Sequence, residues 1–525
     1  MEQRDLADAG HVANSGERLN VYSRFLNLLL PGVLKATRSR YLDIARQIEK
    51  RQFWSRQQLR EWQDARLREL VAGAICDVPY YRNLALELGL EANSVRSADD
   101  LLRIPPTTKT IIQQHFPDGM TPVAGRDPDH RVVGTRGTTN RLMVIHDFDR
   151  RDHIRATGLN VLTIDAPYRF GDRRLAIPPD VCSIVCGLEG MRDSTVARHL
   201  VTMWRKKKFR DAAALSDLRG LVMTNWIECE TVLEPFGADG THIDEERLQA
   251  YLDRIAQVRP VMVMALPEYL QALAGYLERT GGPPPPVKMI RPMGANLDEV
   301  TKRRIERAFA APVREHYGSL ELGGMAFDCR NRCGMHLLED QYVFEVVANG
   351  ARVPDGELGS LLITDLYSRS MPLIRYQIGD MARITHAPCA CGRTTARLTL
   401  EGRVEDTIVT SDGRFVTPER VACTLYGGST IDQFQLIEND NGSCELRYVD
   451  RLDTRFDSNT LVELLRPLLG ADRRIVVRRV RSIAPESSGK FRHVKSCSFS
   501  RILQGATQAA PEDSSSSNPG NSCHA

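Results

Sequence analysis

Residues 132–142, VVGTRGTTNRL, put two glycines, three threonines and two arginines directly after a short β-branched run. Small residues let backbone N–H groups approach phosphate oxygens, and hydroxyls add further donors. The stretch therefore suits a loop that cradles phosphates. It has no lysine, and the mononucleotide pattern G-x-x-x-x-G-K-[ST] is absent. A nucleotide held here must find its cation elsewhere. A second group of residues suits a metal. Cys329, Cys333 and His336 lie close in sequence, and Cys389 and Cys391 follow some way behind. Soft thiolates with one imidazole favour tetrahedral zinc. The preferred set is Cys329, His336, Cys389 and Cys391, with Cys333 as the alternative second ligand. Such a zinc would be structural, pinning the segment just before residue 402.

Five further stretches could carry chemistry. Gly294-Ala295-Asn296 follows the strand-like VKMIRPM. REHYGSLELGG spans residues 314–324, and residues 356–384 include MPLIRYQIGD. EGRVEDTIV and PESSGKFR lie in the last quarter of the chain. Singly, each has an ordinary reading: a turn at Gly137-Thr138-Thr139, a strand end with a buried Tyr317, a turn capped by Asp380, an exposed loop lysine at Lys490. Their order along one chain is what gives them weight.

These residues need a scaffold, and 525 residues suffice for more than one domain. A composition of 42% hydrophobic and 26% charged residues is that of a soluble globular protein. A net charge of +3 gives no argument for a nucleic acid or membrane partner. The basic run Arg205-Lys206-Lys207-Lys208-Phe209-Arg210 reads as a solvated face. The apolar stretch from Phe25 to Leu34 is about half a membrane span and is broken by Pro31-Gly32. Twelve cysteines spread over a long chain fit a reducing cytoplasm.

Helical spacing of apolar residues runs from Ser55 to Ala74 and ends before Val78-Pro79. A unit starting at Asp244 reads helix, then a buried strand from Val261 to Leu266, then a helix from Glu268 to Arg279. Such alternation predicts a layered α/β core. Near residue 402 the character changes, and a domain boundary is expected near Val404. A strand over 407–410, a turn at 411–414 and a capped helix start at Thr417-Pro418-Glu419 follow in order. A second hairpin near Asn441-Gly442, a helix over 458–469 and the β-rich RRIVVRRVRSI complete a compact α+β unit. The expected divisions are a flexible 1–20, a large domain over 21–403, a small domain over 404–505 and a disordered tail over 506–525.

Taken together, the ordered stretches resemble the adenylate-forming superfamily of acyl- and aryl-CoA ligases, and within it the phenylacetate–CoA ligase branch. GTRGTTNRL is similar to the family's hydroxyl-rich phosphate loop, GAN to the branch's Gly-Ala-Glu, and YGSLE to Tyr-Gly-x-Thr/Ser-Glu. GMHLLEDQYVFEV, MPLIRYQIGD, CACGRTTARLTLEGRVEDTIV and SSGKFR match further segments in the same order. The resemblance covers about residues 50 to 495. It implies a large multi-sheet α/β adenylation domain and a small mobile α+β lid. It implies ATP-dependent activation of a carboxylic acid to an acyl-adenylate, then transfer to the thiol of coenzyme A. The branch points to an aromatic or other hydrophobic acid.

Residue by residue, the resemblance gives Thr135, Gly137, Thr138 and Thr139 to the β- and γ-phosphates. Gly294 and Ala295 would line the adenine, with Tyr317 stacking on it beside Gly318. Glu321 would bind Mg²⁺, Asp380 both ribose hydroxyls, and Arg403 the ribose–phosphate at the entry to a hinge. Lys490 would bridge the carboxylate and the α-phosphate, so the missing cation would come from the lid. Four positions depart from the family pattern: Leu320 for a hydroxyl residue, Asn296 for an acid, Asn140 for glycine and Leu142 for proline. The alternatives are an adenylating enzyme that passes its acyl group to an amine or a carrier-protein thiol, and a catalytically impaired binding paralogue. The extra amino-terminal helical region is one that could serve a homodimer.

Overall fold

The computed structural model describes residues 28, 40–123, 130–134, 142–169, 171–178, 196–207, 230–233, 245–450, 457–486 and 491–498. Thr135, Gly137, Thr138, Thr139, Asn140 and Lys490 lie outside these residues, as do the stretches expected to be flexible at 1–20 and disordered at 506–525.

Three helices open the described chain: α1 (Tyr41–Arg51), α2 (Arg56–Asp77) and α3 (Pro79–Leu88). Tyr41, Ile44, Ala45 and Ile48 of α1 recur at helical spacing and are buried on one face. Ser55 caps α2 through a reciprocal bond pair with Gln58, and Pro79 at the first position of α3 fixes where the new helix starts. The short α4 (Lys109–His115) follows. β1 (Arg131–Gly134) and β2 (Met143–His146) form an antiparallel hairpin whose connecting residues include the expected phosphate loop. Asp147 then caps α5 (Phe148–Thr163).

The α/β alternation is a parallel sheet. β3 (Arg174–Ile177), β4 (Glu230–Val232), β5 (Met262–Ala265) and β6 (Met289–Pro292) pair in the order β4-β3-β5-β6. α6 (Val196–Arg205) and α7 (Glu245–Val258) precede β4 and β5, α8 (Pro267–Thr280) joins β5 to β6, and α9 (Glu299–Phe309) follows β6. Leu248, Leu252, Ile255, Leu270, Leu273 and Ile305 of these helices share a core with Leu175, Val263 and Ile290 of the strands. All four residues of β5 are buried, as a continuous apolar run in a covered parallel sheet requires.

The second sheet is antiparallel. It holds β7 (His316–Ser319), β8 (Gly323–Asp328), β9 (Met335–Leu337), β10 (Tyr342–Ala348), β11 (Ala351–Arg352), β12 (Gly359–Asp365), β13 (Tyr376–Thr385) and β14 (Arg397–Arg403). The order is β11-β10-β12-β13-β14-β9-β8-β7. Register shifts interrupt the β12–β13, β13–β14 and β7–β8 ladders. Such irregularities bend strands and raise the local twist, which lets an eight-stranded sheet roll inward.

Residues beyond the second sheet build a unit with its own core. β15 (Ile408–Val409) and β16 (Phe415–Val416) make the expected small hairpin. Thr417 caps α10 (Pro418–Gly428), with its hydroxyl accepting from Arg420 N–H. β17 (Ile431–Glu438) and β18 (Cys444–Asp450) turn through Asn441-Gly442, and α11 (Ser458–Leu469) follows. β19 (Ile475–Arg479) and β20 (Val494–Lys495) complete the order β19-β18-β17-β20. Val421, Leu425, Phe434, Leu446, Leu461 and Leu465 fill its interior, and Val300 of α9 packs against it from the large unit.

Candidate active site

Asp380 on β13 stands directly opposite Arg403 on β14. Arg403 Nη1 donates to Asp380 Oδ1 at 2.8 Å and to the Ile378 carbonyl at 3.2 Å. Burial works against the Arg403 charge, but Asp380 and then Glu405 outweigh it and hold the guanidinium proton above its ordinary range. Gly379 makes this packing possible. Its φ is +91°, and a Cβ there would lie 2.9 Å from Arg403 Nη2.

Tyr317 on β7 donates from its hydroxyl to Asp380 Oδ2 at 2.5 Å. In the sheet order β7 and β13 are four strand spacings apart. A flat sheet would separate them by about 19 Å, so the bond exists because the sheet rolls up. A second bond crosses the same roll in the opposite sense. Tyr376 on β13 donates to Glu321 Oε1, in the β7–β8 turn, at 3.1 Å. Burial first, and the neighbouring carboxylates second, push both tyrosine hydroxyls well above their usual range. They are thus fixed as donors to Asp380 and Glu321.

The turn carrying Glu321 is held by its backbone. His146 Nε2 meets the Glu321 carbonyl at 3.0 Å, and Arg150 Nη2 donates to the Leu322 carbonyl at 2.6 Å. Arg150 is itself buried and paired with Asp365 at 2.7 Å. His146 ends the strand that returns from the expected phosphate loop, so that hairpin and the Glu321 turn are joined. Burial drives the His146 pKa down to about 4, which keeps the ring neutral. Ser319, neighbour of the unusual Leu320, has its hydroxyl accepting from Leu322 N–H at 3.3 Å.

Gly294 and Ala295 follow the carboxyl end of β6, the edge of a parallel sheet where ligands characteristically bind. Gly294 has φ +79°, and a Cβ there would stand 3.1 Å from Leu266 at the end of β5. At that same end, Glu268 of α8 accepts from the Phe491 N–H at 3.2 Å. Phe491 directly follows Lys490. Arg492 donates through Nε to Asp406 Oδ1, at the start of the second unit, at 2.7 Å. The residues flanking Lys490 on its carboxyl side are therefore tied both to the parallel sheet and to the 404–406 turn.

The cysteine cluster assembles around the same sheet, with His336 on β9, Cys329 just beyond β8, and Cys389 and Cys391 between β13 and β14. Ligand atoms of Cys329, His336, Cys389 and Cys391 all lie within 4.8 Å of one another. Cys329 Sγ is 3.7 Å from Cys389 Sγ, and Cys391 Sγ is 3.3 Å from His336 Nε2. Two sulfurs on one tetrahedral zinc, each about 2.3 Å from the metal, lie about 3.8 Å apart. The donor set therefore fits such an ion. His336 Nδ1 is engaged by the Thr395 carbonyl at 3.1 Å, which turns Nε2 toward the sulfurs as ligating histidines require. Burial lowers the His336 pKa to about 4, leaving the ring free of a second proton. Cys333 Sγ lies 3.5 Å from Cys389 Sγ but is exposed.

No family model matches the chain. Curated relatives do. The chain is 26% identical over 400 residues to a phenylacetate-coenzyme A ligase of Thermus thermophilus, covering 74% of this chain and 80% of that one. It is 25% identical over 362 residues to a phenylacetate-coenzyme A ligase of Pseudomonas putida, covering 67% and 72%. A crystal structure of 2-hydroxyisobutyryl-CoA ligase in complex with 2-HIB-AMP matches with a TM-score of 0.63 at 20% identity, covering 88% of this chain and 94% of that chain. This is the fold of the adenylate-forming CoA ligases. The multi-sheet α/β class expected from the sequence is the class observed, and the curated homologues are those of the branch the motifs resemble.

The adenylate-forming fold also brings out residues that sequence reasoning passed over. Tyr376 sits inside the quoted MPLIRYQIGD, yet nothing in its spacing indicates a bond to Glu321. His146, Arg150, Glu268 and Asp406 are likewise joined to the site only by long-range packing. Among the described residues no helix is long and apolar enough to cross a membrane.

Proposed function

We propose that the chain is an AMP-forming carboxylate–CoA ligase acting on an aromatic or other hydrophobic acid. What carries this reading is the contact of Phe491 with Glu268. It brings the chain next to Lys490 against the carboxyl end of the parallel sheet, which supports Lys490 as the cation missing from the phosphate loop. In the first half-reaction a carboxylate oxygen attacks the α-phosphorus of ATP. The bond from that phosphorus to its bridging oxygen breaks, and pyrophosphate leaves. Two anions must meet, so positioning and charge neutralisation dominate the barrier. Lys490 bridges the carboxylate and α-phosphate oxygens. Thr135, Gly137, Thr138 and Thr139 hold the β- and γ-phosphates.

Asp380 accepts from the ribose hydroxyls while Tyr317 and Arg403 hold its carboxylate in place. Gly294 and Ala295 line the adenine, with Tyr317 and Gly318 on its other side. Glu321, oriented by Tyr376, would hold Mg²⁺, a hard cation that supplies positive charge at the phosphates. In the second half-reaction the thiolate of coenzyme A attacks the acyl carbon, and AMP leaves. The unit from 404 to 505 acts as the lid that exchanges one step for the other. Cys329, His336, Cys389 and Cys391 would hold a structural zinc, which would fasten the segment leading into β14.

The test is pyrophosphate exchange into ATP across a panel of carboxylic acids, followed by separate assays with coenzyme A, amines and carrier-protein thiols. Exchange with an arylacetic or similar apolar acid, and a thioester only with coenzyme A, supports the assignment. An amide or a carrier-bound product redirects the second step. ATP binding without exchange for any acid means an impaired paralogue.

A further inference from the structure

Asn296 stands where the branch carries an acid, and the structure supplies a reason. Asn296 Nδ2 donates to Glu419 Oε2 at 3.1 Å, and Glu299 N–H donates to Glu419 Oε1 at 3.3 Å. Asn296 directly follows the adenine pair Gly294-Ala295, whereas Glu419 lies in the first turn of α10, in the second unit. An acid at 296 would set two carboxylates face to face across the interface between the units. The amide turns that repulsion into a hydrogen bond.

Glu419 is placed among groups of its own sign. Asp298 caps α9 beside it, and Glu315 adds to the negative side, while the Glu299 N–H works the other way by donating to the carboxylate. Lys302 of α9 is paired with Glu315 at 2.5 Å. On its own helix Cys423 donates from Sγ to Glu419 Oε1 at 3.3 Å. Tyr426, further along α10, and His493, from the segment beside β20, also feel the Asp298 charge. On the β14 side Glu401 is bonded to Thr417 Oγ1 at 2.8 Å. No ion pair to Glu419 exists among the described residues. Burial, and after it the Asp298 charge, push its carboxyl up to about 8. Besides the Phe491–Glu268 and Thr417–Glu401 bonds, ties across the interface include Gln271 Nε2 donating to the Asp432 carbonyl at 2.8 Å and Arg304 Nη1 to Asp432 Oδ1 at 2.9 Å.

We propose that the Asn296–Glu419 contact is a latch that keeps the second unit in the orientation described, and that its release precedes the second half-reaction. The proposal rests on the two-step reading above. When the latch opens, Glu419 regains water and returns toward its ordinary carboxylate range. The latched form therefore holds a proton that the released form gives up. Lowering the pH through the window from about 8 to 4.5 favours the latched form, and raising it through about 8 releases the lid.

The test measures lid orientation directly and needs no turnover. Spectroscopic labels on genetically encoded side chains at Ala256 and Glu463, both exposed, report the distance between units in the full chain. The wild-type distance should shift between pH 6 and pH 9. Glu419→Gln, which removes the charge, keeps the acceptor for Glu299 N–H and can donate to Asn296 Oδ1 once that amide flips, should hold the latched distance throughout. Asn296→Glu should reduce the latched population at least threefold at both pH values. It should slow pyrophosphate exchange and spare thioester formation from supplied acyl-adenylate. Distances that ignore both pH and Asn296→Glu overturn the latch. Distances that behave as stated, in a protein that exchanges pyrophosphate with no acid, uphold the latch and overturn the ligase assignment instead.

Discussion

Tyr317 and Asp380 lie on strands four places apart in one sheet, yet the tyrosine hydroxyl is 2.5 Å from the carboxylate. The rolled sheet thus fixes the rotamer of Asp380 from one side while Arg403, directly opposite on the neighbouring strand, fixes it from the other. An acceptor held from two sides needs no reorganisation when a diol arrives. The same roll aims Glu321 through Tyr376.

Replacing Asp380 by alanine removes the acceptor and leaves Arg403 and Tyr317 without their shared partner. Hydrogen bonds to charged groups contribute about 1.5–3 kcal/mol. We predict a loss of roughly 10- to 150-fold in kcat/KM for ATP in the exchange assay, from that range of energies. Tyr317→Phe should lose less, because Arg403 still holds the carboxylate. Equal ATP kinetics in wild type and Asp380→Ala would remove the aspartate from the site.

Tyr376→Phe should leave the protein folded but free the Glu321 carboxylate to rotate. The expected outcome is a higher magnesium requirement in the exchange assay, with the ATP dissociation constant little changed. Titration of activity against magnesium checks it. An unaltered magnesium curve would show that Tyr376 does not orient Glu321.

Zinc should be found at about one ion per chain by elemental analysis of protein purified without chelator, as a four-ligand site predicts. Cys391→Ser should lose the metal and lower the melting temperature, and prolonged chelation should do the same to wild type. Metal-free protein with an undiminished melting temperature would reject the site.

Neutral His146 should make the fold acid-sensitive. Its folded pKa, near 4, lies below the ordinary 6.5, so the unfolded chain takes up a proton first as pH falls. Stability from this group is complete above pH 6.5 and declines as pH drops toward 4, by about 1–3 kcal/mol at most. His146→Asn, a neutral donor at every pH, should flatten that part of the melting-temperature profile. The slope between pH 7 and 5 in the two proteins decides it.

Much of this arrangement was legible in the sequence because it is local. Ser55, Thr417 and Pro418 mark helix starts, the Asn441-Gly442 turn marks a hairpin, and the α11 boundaries follow from apolar spacing alone. The grouping of Cys329, His336, Cys389 and Cys391 was legible too, since thiols and an imidazole advertise their chemistry. What could not be read were pairings set by the roll of the sheet and by contact between the two units. Tyr376 with Glu321, His146 with the Glu321 carbonyl and Asn296 with Glu419 join residues between 55 and 175 positions apart. Asn296 is the instructive case. From the sequence it was only a departure from the family pattern, and its meaning lies in a partner on the other unit.

The most direct test of the whole account follows oxygen. A carboxylic acid labelled with ¹⁸O in its carboxylate is turned over with ATP and coenzyme A, and the phosphorus products are analysed by mass. Attack of the carboxylate on the α-phosphorus, followed by thiol displacement, must leave one labelled oxygen in AMP and none in pyrophosphate. Label in inorganic phosphate with ADP as the nucleotide product, or unlabelled AMP accompanying thioester formation, would contradict the account.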